Sequence, residues 1–361
     1  MREFIKKFES AVSAHNYVIA DIPFTTSVNE IPIQNLVCNK TGKHLENDNG
    51  IVIICPSDDP VGPPSNEIWY TATSQVTPNK TYVFDANYLP GESTFDSTTG
   101  KGILKFDGDV TSIGNGAFQS RTALTSITIP NSVTTIGVQA FYYCSGLISV
   151  TIPNSVTSIG GYAFTSCSSL ASIVIPDGVT CIELSTFEGC SGLTSVTIPN
   201  SVTSIRENAF YKCSSLISVT IPNSVTSIEN GAFWVCSDLS SVNISNRVTN
   251  IGRNVFSSCS SLTSIEIPNT VTSIGVGAFI ACSSLTSIVI PDGVTSIDEY
   301  AFADCSGLTS VTCEATTPPT AKSNTWSNVT KSIPVYVPAD SVSLYQQAQY
   351  WSQFTNIQQI P

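Results

Sequence analysis

The amino-acid sequence predicts a solenoid of stacked coils, dominated by strands with short helical turns, together with a small α+β N-terminal domain. Nine phenylalanines from Phe118 to Phe302 recur every 23 residues without a gap, and eight of them are followed three residues later by a cysteine. A fixed period of this length is typical of repeat architectures. Within each period apolar residues alternate with Ser and Thr, which is the pattern of a half-buried strand. One unit buries too little apolar surface to offset the entropy of ordering it, so the units must stack.

The local sequence predicts each segment of the unit in order. In residues 126–130 two isoleucines alternate with Ser and Thr, which predicts a strand with one buried face. The Pro-Asn-Ser or Pro-Asp-Gly that follows predicts a turn. A second extended segment directs Val133 and Ile136 inward, and the Ala-Phe-x-x-Cys stretch suits one tight helical turn. At about 4.8 Å per coil, the nine coils predict a rod or shallow arc roughly 43 Å long.

The whole unit reads L-x-S-[IV]-x-I-P-[ND]-x-V-T-x-I-x-x-x-A-F-x-x-C-S-x and covers residues 108–313. This pattern resembles the BspA-like family of bacterial leucine-rich repeats. The resemblance implies a leucine-rich-repeat solenoid of the α/β horseshoe type. It also implies an extracellular or cell-surface protein that adheres to matrix proteins or other cells, with partners docking on the strand face.

Four segments are predicted along the chain. They are an α+β domain of no recognised family at 1–60, a strand-rich cap at 61–107, nine repeats at 108–313 and a C-terminal cap at 314–361. In the first segment we predict a helix at 2–15 and strands at 17–22, 31–38 and 51–55. The last two strands frame a turn at 48–50. The N-terminal cap contains predicted strands at 67–73, 81–84 and 102–106.

The C-terminal cap is predicted to shield the open strand edge and the apolar end of the last coil. A strand is expected at 333–338 and a helix at 341–354, with Asp340 or Ser341 as the N-cap. The apolar side of this helix is formed by Leu344, Tyr345, Ala348 and Trp351.

Composition excludes several classes of partner. The 361 residues carry 15 basic and 27 acidic side chains, a net charge of −12, which argues against nucleic acid and anionic membranes. No run of 18 apolar residues is present, so we expect no membrane insertion. No secretory signal with an apolar core is visible at the N-terminus, and the export route therefore stays open.

The cysteine column is predicted to be a buried, reduced structural ladder. It contains neither the C-x₂-C pairs nor the histidines that metal sites use, and stacked Cβ atoms about 4.8 Å apart exceed the roughly 3.8 Å of a disulfide. A buried free cysteine packs as a small hydrophobe. Cys181 occupies an outward slot and is expected to be an exposed thiol, whereas Cys313 should be buried. Cys38 and Cys55 either pair or remain free.

The sequence contains no catalytic constellation. Its two histidines, His15 and His44, lie outside the array without metal-site or triad partners nearby. Residues 91–102 lack the glycine and the hydroxyl residue that a phosphate-binding loop requires, and residues 45–50 lack the first aspartate of a calcium loop. We therefore expect no enzyme activity, no cofactor and no metal.

Two sets of residues are candidates for binding. A serine occupies the same strand position in every unit, beside a column rich in threonine, and the candidates are Ser149, Ser172, Ser195, Ser218, Ser241, Ser264, Thr197 and Thr220. The alternative is that these small hydroxyl residues simply make a water-compatible sheet face. Tyr211 and Trp234 follow the phenylalanines of neighbouring units, so they should stack on the solenoid edge, where aromatic residues favour interfaces. Their alternative role is packing over the turn of the neighbouring coil.

These observations favour a non-catalytic, adhesin-like protein that presents an extended Ser/Thr-rich face to a protein or glycan ligand. The second hypothesis is a structural appendage, such as a virion decoration or fibre protein. In that case residues 1–60 would anchor the protein to an assembly partner.

Overall fold

The computed structural model describes residues 45–46, 52–53, 62–79 and 84–361. The chain divides into two compact units, Met1–Gly62 and Pro63–Pro361. In the first unit the strands Leu45–Glu46 and Val52–Ile53 pair antiparallel around the turn predicted at 48–50. The strand that pairs with Val52–Ile53 is therefore Leu45–Glu46, which is closer in sequence to this turn than the partner predicted at 31–38. That segment lies outside the described residues, as do the helix at 2–15, the strand at 17–22, both histidines, Cys38 and Cys55.

The second unit is a solenoid in which each coil contributes a longer and a shorter strand. The longer strands, here named the serine row, are Leu124–Thr128, Ser149–Thr151, Ser172–Val174, Ser195–Thr197, Ser218–Thr220, Ser241–Asn243, Ser287–Ile290 and Ser310–Cys313. The shorter strands, here named the isoleucine row, are Ser112–Ile113, Thr135–Ile136, Ser158–Ile159, Cys181–Ile182, Ser204–Ile205, Ser227–Ile228, Asn250–Ile251, Ser273–Ile274 and Ser296–Ile297. The predicted strand-dominated leucine-rich-repeat solenoid is therefore confirmed.

Both rows pair in parallel with a register of one coil. Ser172 lies opposite Ser195 in the serine row, and Ile205 lies opposite Ile228 in the isoleucine row. Because the coils are equal in length, each residue meets its own equivalent 23 residues away. In the coil that contains Ser264, the row continues through a single parallel bridge from Glu266 to Val289.

The Ala-Phe-x-x-Cys stretch, here named the turn segment, closes each coil with tight turns. The Cys213 amide donates to the Phe210 carbonyl at 3.1 Å, as in the predicted helical turn. The turn does not extend into a helix because a left-handed residue precedes it and another lies within it, with φ of 55° at Asn208 and 60° at Lys212. This conformation directs backbone groups along the solenoid axis, so the Phe210 amide donates to Ala232 of the next coil at 2.8 Å.

A column of stacked phenylalanine rings forms the centre of the core. The rings from Phe118 to Phe302 are fully buried, and successive centroids lie 5.1 to 5.7 Å apart with nearly parallel planes. Trp326 extends the column, with its centroid 4.8 Å from that of Phe302. Trp326 comes 24 residues after Phe302, so a further coil of irregular sequence continues the stack.

The cysteine column lies beside the phenylalanine column and is buried and reduced, as predicted. Each thiol from Cys144 to Cys305 also donates to the carbonyl of the phenylalanine in the preceding coil, over 2.9 to 3.3 Å. Burial raises the pKa of the Cys190 and Cys236 thiols to about 12. Cysteine therefore fits this slot because it is both small and a weak donor.

The two cysteines outside the column differ from each other. Cys313 is buried, as predicted, and accepts a hydrogen bond from the Tyr345 hydroxyl at 3.1 Å. Cys181 was expected to be exposed but is only partly so. The Ser204 hydroxyl and the Arg206 Nε donate to its sulfur at 3.1 and 3.4 Å, and these side chains of the next coil cover part of the thiol.

The N-terminal end of the solenoid is closed by an antiparallel sheet. The strand Glu67–Ala72 pairs with Leu124–Thr128, the first member of the serine row, and on its other side with Lys101–Lys105. These two strands lie within one residue of the predicted 67–73 and 102–106. Thr94–Asp96 forms a further strand that the sequence did not indicate. Residues 81–83 of the predicted strand 81–84 lie outside the described residues.

The C-terminal end adds two strands to the serine row. Pro334–Val337 pairs in parallel with Ser310–Cys313, as predicted, and Asn356–Gln359 pairs in parallel with Pro334–Val337. The last strand was not predicted. It lengthens the stack by one strand beyond the predicted cap strand.

The predicted helix at 341–354 is much shorter in the structure. A 3-10 turn at Ala339–Ser341 leads into the helix Val342–Gln347, which ends because Ala348 is extended. Ser341 occupies the N-cap position but donates its hydroxyl to the Thr316 carbonyl instead of capping the helix. Of the predicted apolar side, Tyr345 and Trp351 are buried, Ala348 is half-buried and Leu344 is 51% exposed.

The aromatic column gives a test of core packing. We expect Phe210→Ala to lower the free energy of unfolding by about 3–5 kcal/mol, because it leaves a cavity between two stacked rings. Tyr143→Ala removes an aromatic ring from the same kind of segment, but this ring is 50% exposed, and we expect a change within about 0.5 kcal/mol. Urea denaturation followed by circular dichroism measures both. Equal losses in the two variants would contradict the assignment of the column as the core.

The buried thiols predict a loss of stability at alkaline pH. Unfolded thiols ionise near pH 8.5, whereas the folded thiols of Cys190 and Cys236 remain protonated until about pH 12. Their stabilising effect is complete below about pH 8.5 and is lost as the pH rises towards 12. Between pH 9.5 and 10.5 the free energy of unfolding should therefore fall less steeply in the double variant Cys190→Ser/Cys236→Ser than in the parent protein. The expected difference between the two slopes is about 2.7 kcal/mol per pH unit. Urea denaturation across this range measures the slopes, and identical slopes would refute the prediction.

Candidate functional site

The serine row presents a face of small hydroxyl side chains. Its residues alternate between the core and the surface, as Ser218, Val219 and Thr220 do, with Val219 buried and the other two exposed. Parallel pairing at one-coil register then brings the equivalent side chains into columns about 4.8 Å apart. The structure collects all eight predicted Ser and Thr candidates on this face, and each is exposed: Ser149, Ser172, Ser195, Ser218, Ser241, Ser264, Thr197 and Thr220. We name it the serine face.

The serine face is almost uncharged. Among its outward columns, Glu266 is the one residue with a charged side chain. Four large apolar side chains interrupt the hydroxyls, and all are exposed; they are Ile148, Val174, Ile217 and Val289. Val174 is the most exposed of them, at 68%. The face is therefore a flat, neutral surface with isolated apolar side chains.

The hydroxyls of the serine face remain available to a partner. Within the part of the chain that the structure describes, the side chains of the eight candidates form no hydrogen bonds to other protein atoms. The hydroxyls just before the serine-row strands differ, because Thr194 and Ser240 donate to Ala171 and Ile217 of the preceding coil at 3.1 and 3.2 Å. The threonines just before the isoleucine-row strands do the same, as Thr226 does to Thr203 at 3.3 Å. In both rows the backbone therefore uses the hydroxyl that precedes the strand, whereas the eight candidates lie within the strands and stay free of such bonds.

Tyr211 and Trp234 lie in the turn segment, not on the serine face. Their rings stack as the sequence predicted, with centroids 4.7 Å apart and planes inclined by 27°. Both side chains are half-buried, and the Lys212 Nζ lies 4.9 Å from the centre of the Tyr211 ring. The structure therefore brings the Ser and Thr candidates together but places the aromatic pair on a different segment of the coil.

An ion-paired column next to the isoleucine row was not found from the sequence. Glu183, Arg206 and Glu229 occupy the same slot in three successive coils. Arg206 Nε lies 3.6 Å from Glu183 Oε2, and an Arg206 terminal nitrogen lies 3.9 Å from Glu229 Oε1. The sequence does contain a signal for these ion pairs, because an acidic, a basic and an acidic residue follow one another at the 23-residue spacing.

The described part of the chain was expected to hold neither a metal site nor a membrane span. No group of three or more His, Cys, Asp or Glu side chains could hold a metal ion in residues 62–79 and 84–361. No helix in the described part of the chain is long and apolar enough to cross a membrane.

One of the solved structures to which the chain is similar supports the fold. A leucine-rich repeat protein from Bacteroides ovatus ATCC 8483 is 25% identical, over 78% of this chain and 77% of that one, with a TM-score of 0.53. A Treponema (T. pallidum) leucine rich repeat protein is 30% identical over 50% of this chain and 74% of that one, with a TM-score of 0.36. A leucine rich cell surface protein from Faecalibacterium prausnitzii A2-165 is 24% identical over 80% and 96%, with a TM-score of 0.35.

The sequence comparisons identify the family. No curated protein matches the chain. The BspA type leucine rich repeat region matches in six copies, over residues 91–217 and 180–309. Together these matches cover more than half of the chain and most of the coils described above. The chain therefore belongs to the BspA type leucine-rich repeat family.

Proposed function

We propose that this protein is a non-catalytic, adhesin-like binding protein whose serine face docks a protein or glycan ligand. The observation that carries the proposal is the serine column, which runs through every repeat. Ser126 of the first coil bonds to Thr71 of the N-terminal cap, whereas the hydroxyls of the six serine candidates from Ser149 to Ser264 form no hydrogen bonds within the described residues. A sheet face that served only to be compatible with water could vary in its polar residues. The constancy of one small residue type favours a face adapted to contact.

The physical properties of the serine face suit docking. Ser and Thr side chains have few rotamers, so ordering them against a partner costs little entropy. Each hydroxyl both donates and accepts, so it can pair with peptide groups and with sugar hydroxyls. The exposed Val174 and Ile217 add apolar contact on either side of the central coils. A neutral face also binds with little desolvation cost for charges.

The location outside the cell or on its surface belongs to the same proposal. A docking face for the proteins or glycans of another cell or matrix acts only where those ligands are accessible. The reduced cysteine column is compatible with this location, because its thiols are buried away from oxidants and from one another's reach.

The proposal is tested by adding charge to the serine face. The full-length triple variant Ser195→Glu/Ser218→Glu/Ser241→Glu places carboxylates on three neighbouring coils, and we expect it to lower binding by at least about tenfold through unpaired charges in the interface. Binding of the purified protein to epithelial cells and to matrix-coated plates is measured by flow cytometry and surface plasmon resonance.

The matched control places carboxylates on three neighbouring coils of the other row of strands. Ser227→Glu/Asn250→Glu/Ser273→Glu changes three successive members of the isoleucine row, and we expect parental binding. Circular dichroism confirms that both variants fold. If the two triple variants bind equally well, the serine face is not the docking surface.

A further inference from the structure

The solenoid carries a second surface feature that the serine face does not explain. Four residues of three successive coils form what we name the basic–aromatic patch. Tyr211, Lys212 and Trp234 lie in turn segments, and Arg253 lies two residues before the next one. The backbone joins them, because the Lys212 amide donates to the Trp234 carbonyl at 2.8 Å and the Gly231 amide donates to the Arg253 carbonyl at 2.8 Å. A Cβ built on Gly231 would lie 3.7 Å from the indole Cε3 of Trp234, so the indole lies over this glycine, next to the Arg253 backbone.

The stack of aromatic rings in the patch stops at Trp234, and the next coil leaves a gap beside its indole. The slot that holds Tyr211 and Trp234 is occupied in the next coil by Ser257, which is small and buried, and in the coil after that by Ile280. No large side chain of this column therefore rises beside the indole on the side away from Tyr211. At about 4.8 Å per coil, Trp234 and Ile280 are roughly 10 Å apart. This gap admits one ring in van der Waals contact with the indole.

The charges of the patch are unusual for this chain. The chain carries a net charge of −12, and only four basic residues occur between Arg121 and Lys322. Two of these four, Lys212 and Arg253, belong to the patch. Arg206 already pairs with two glutamates, whereas no carboxylate oxygen of the described residues lies within 4.0 Å of the Lys212 or Arg253 side-chain nitrogens. Lys212 lies over the Tyr211 ring, and Arg253 belongs to the coil next to that of Trp234. Both cations of the patch therefore lack an acidic partner within the described residues.

We propose that the basic–aromatic patch binds a carboxylate-bearing sugar, such as a uronate or a sialate. The apolar C–H face of the sugar ring stacks on Trp234, and its carboxylate pairs with Lys212 and Arg253. This inference rests on the proposed binding function and names a ligand class for a surface separate from the serine face.

The geometry favours a sugar over an acidic peptide. A peptide in extended form would use a strand edge or an apolar groove, and the patch lies on the turn segments, whose backbone amides already donate to neighbouring coils. In the column of Trp234 the gap is one ring wide, and the small, buried Ser257 lies at its base. A pyranose ring presents an apolar face and, in acidic sugars, one carboxylate, and these match the indole and the cations.

Titration calorimetry with the full-length protein tests the proposal. The acidic probes are a hyaluronan octasaccharide, which carries uronates, and 3′-sialyllactose, which carries a sialate; the neutral probes are chitotetraose and lactose. We expect at least one acidic probe to bind about tenfold more tightly than both neutral probes. Trp234→Ala should weaken this binding about tenfold through loss of stacking. Lys212→Gln and Arg253→Gln should each weaken it about threefold and reduce its salt dependence.

Matched controls separate this proposal from that of the serine face. Trp69→Ala removes another exposed indole, outside the patch, and should leave sugar affinity unchanged, as should the serine-face triple variant. Neutral sugars that bind as well as acidic ones, acidic probes that fail to bind below about 10 mM, or an unaffected Trp234→Ala variant would each overturn the proposal. Binding of poly-glutamate that depends on Trp234 would also overturn it, in favour of an acidic peptide. If the serine-face triple variant loses cell binding but keeps its affinity for the acidic sugar, the serine face is the cell-binding surface and the proposal for the patch still holds.

Discussion

The constant length of the coil is the constraint on which the rest of this structure depends. Neighbouring coils satisfy one another's backbone groups in both strand rows and in the turn segment, as between Phe210 and Ala232. A coil of another length must absorb the difference locally, as the last one does, since Trp326 comes 24 residues after Phe302 and still stacks on it. Because all nine units keep 23 residues, each phenylalanine ring meets another ring and each thiol meets a phenylalanine carbonyl. The repetition of the sequence is thus a consequence of translational stacking, in which a residue type that fits one coil fits all of them.

The regular part of the fold could be predicted from the sequence because the same few residues recur in the buried slots. The backbone of the turn segment could not. Val235 has φ of 58°, a conformation that β-branched residues avoid, and it is held there because its amide donates to Ser257 of the next coil at 2.8 Å. The C-terminal helix was predicted too long for a similar reason. Trp351 follows the end of that helix and donates to the Pro319 carbonyl at 2.9 Å, a long-range contact that local periodicity does not reveal.

The candidate site was predictable in its residues but not in its hydrogen bonds. The sequence shows hydroxyl residues at constant positions in both strand rows, so composition alone gives no reason to prefer either one. The structure shows that the position within the coil decides. Thr226 and Thr194, which precede a strand of the isoleucine row and of the serine row, both donate to a carbonyl of the preceding coil, whereas the eight candidates within the serine-row strands do not. The sequence does not show this contact, because it depends on how close the neighbouring coil brings that carbonyl.

The two proposals assign different properties to the repeated serine column and to the irregular patch. In the first, every coil offers nearly the same side chains, so a long partner would dock at many equivalent registers and gain avidity without a preferred position. The basic–aromatic patch breaks this translational symmetry, because Trp234 and Arg253 have no equivalents of the same type in the other coils. A ligand that contacts them would be held at one position along the solenoid. Uniform positions build the fold, and on these proposals specificity comes from the slots in which the repeat departs from its own pattern.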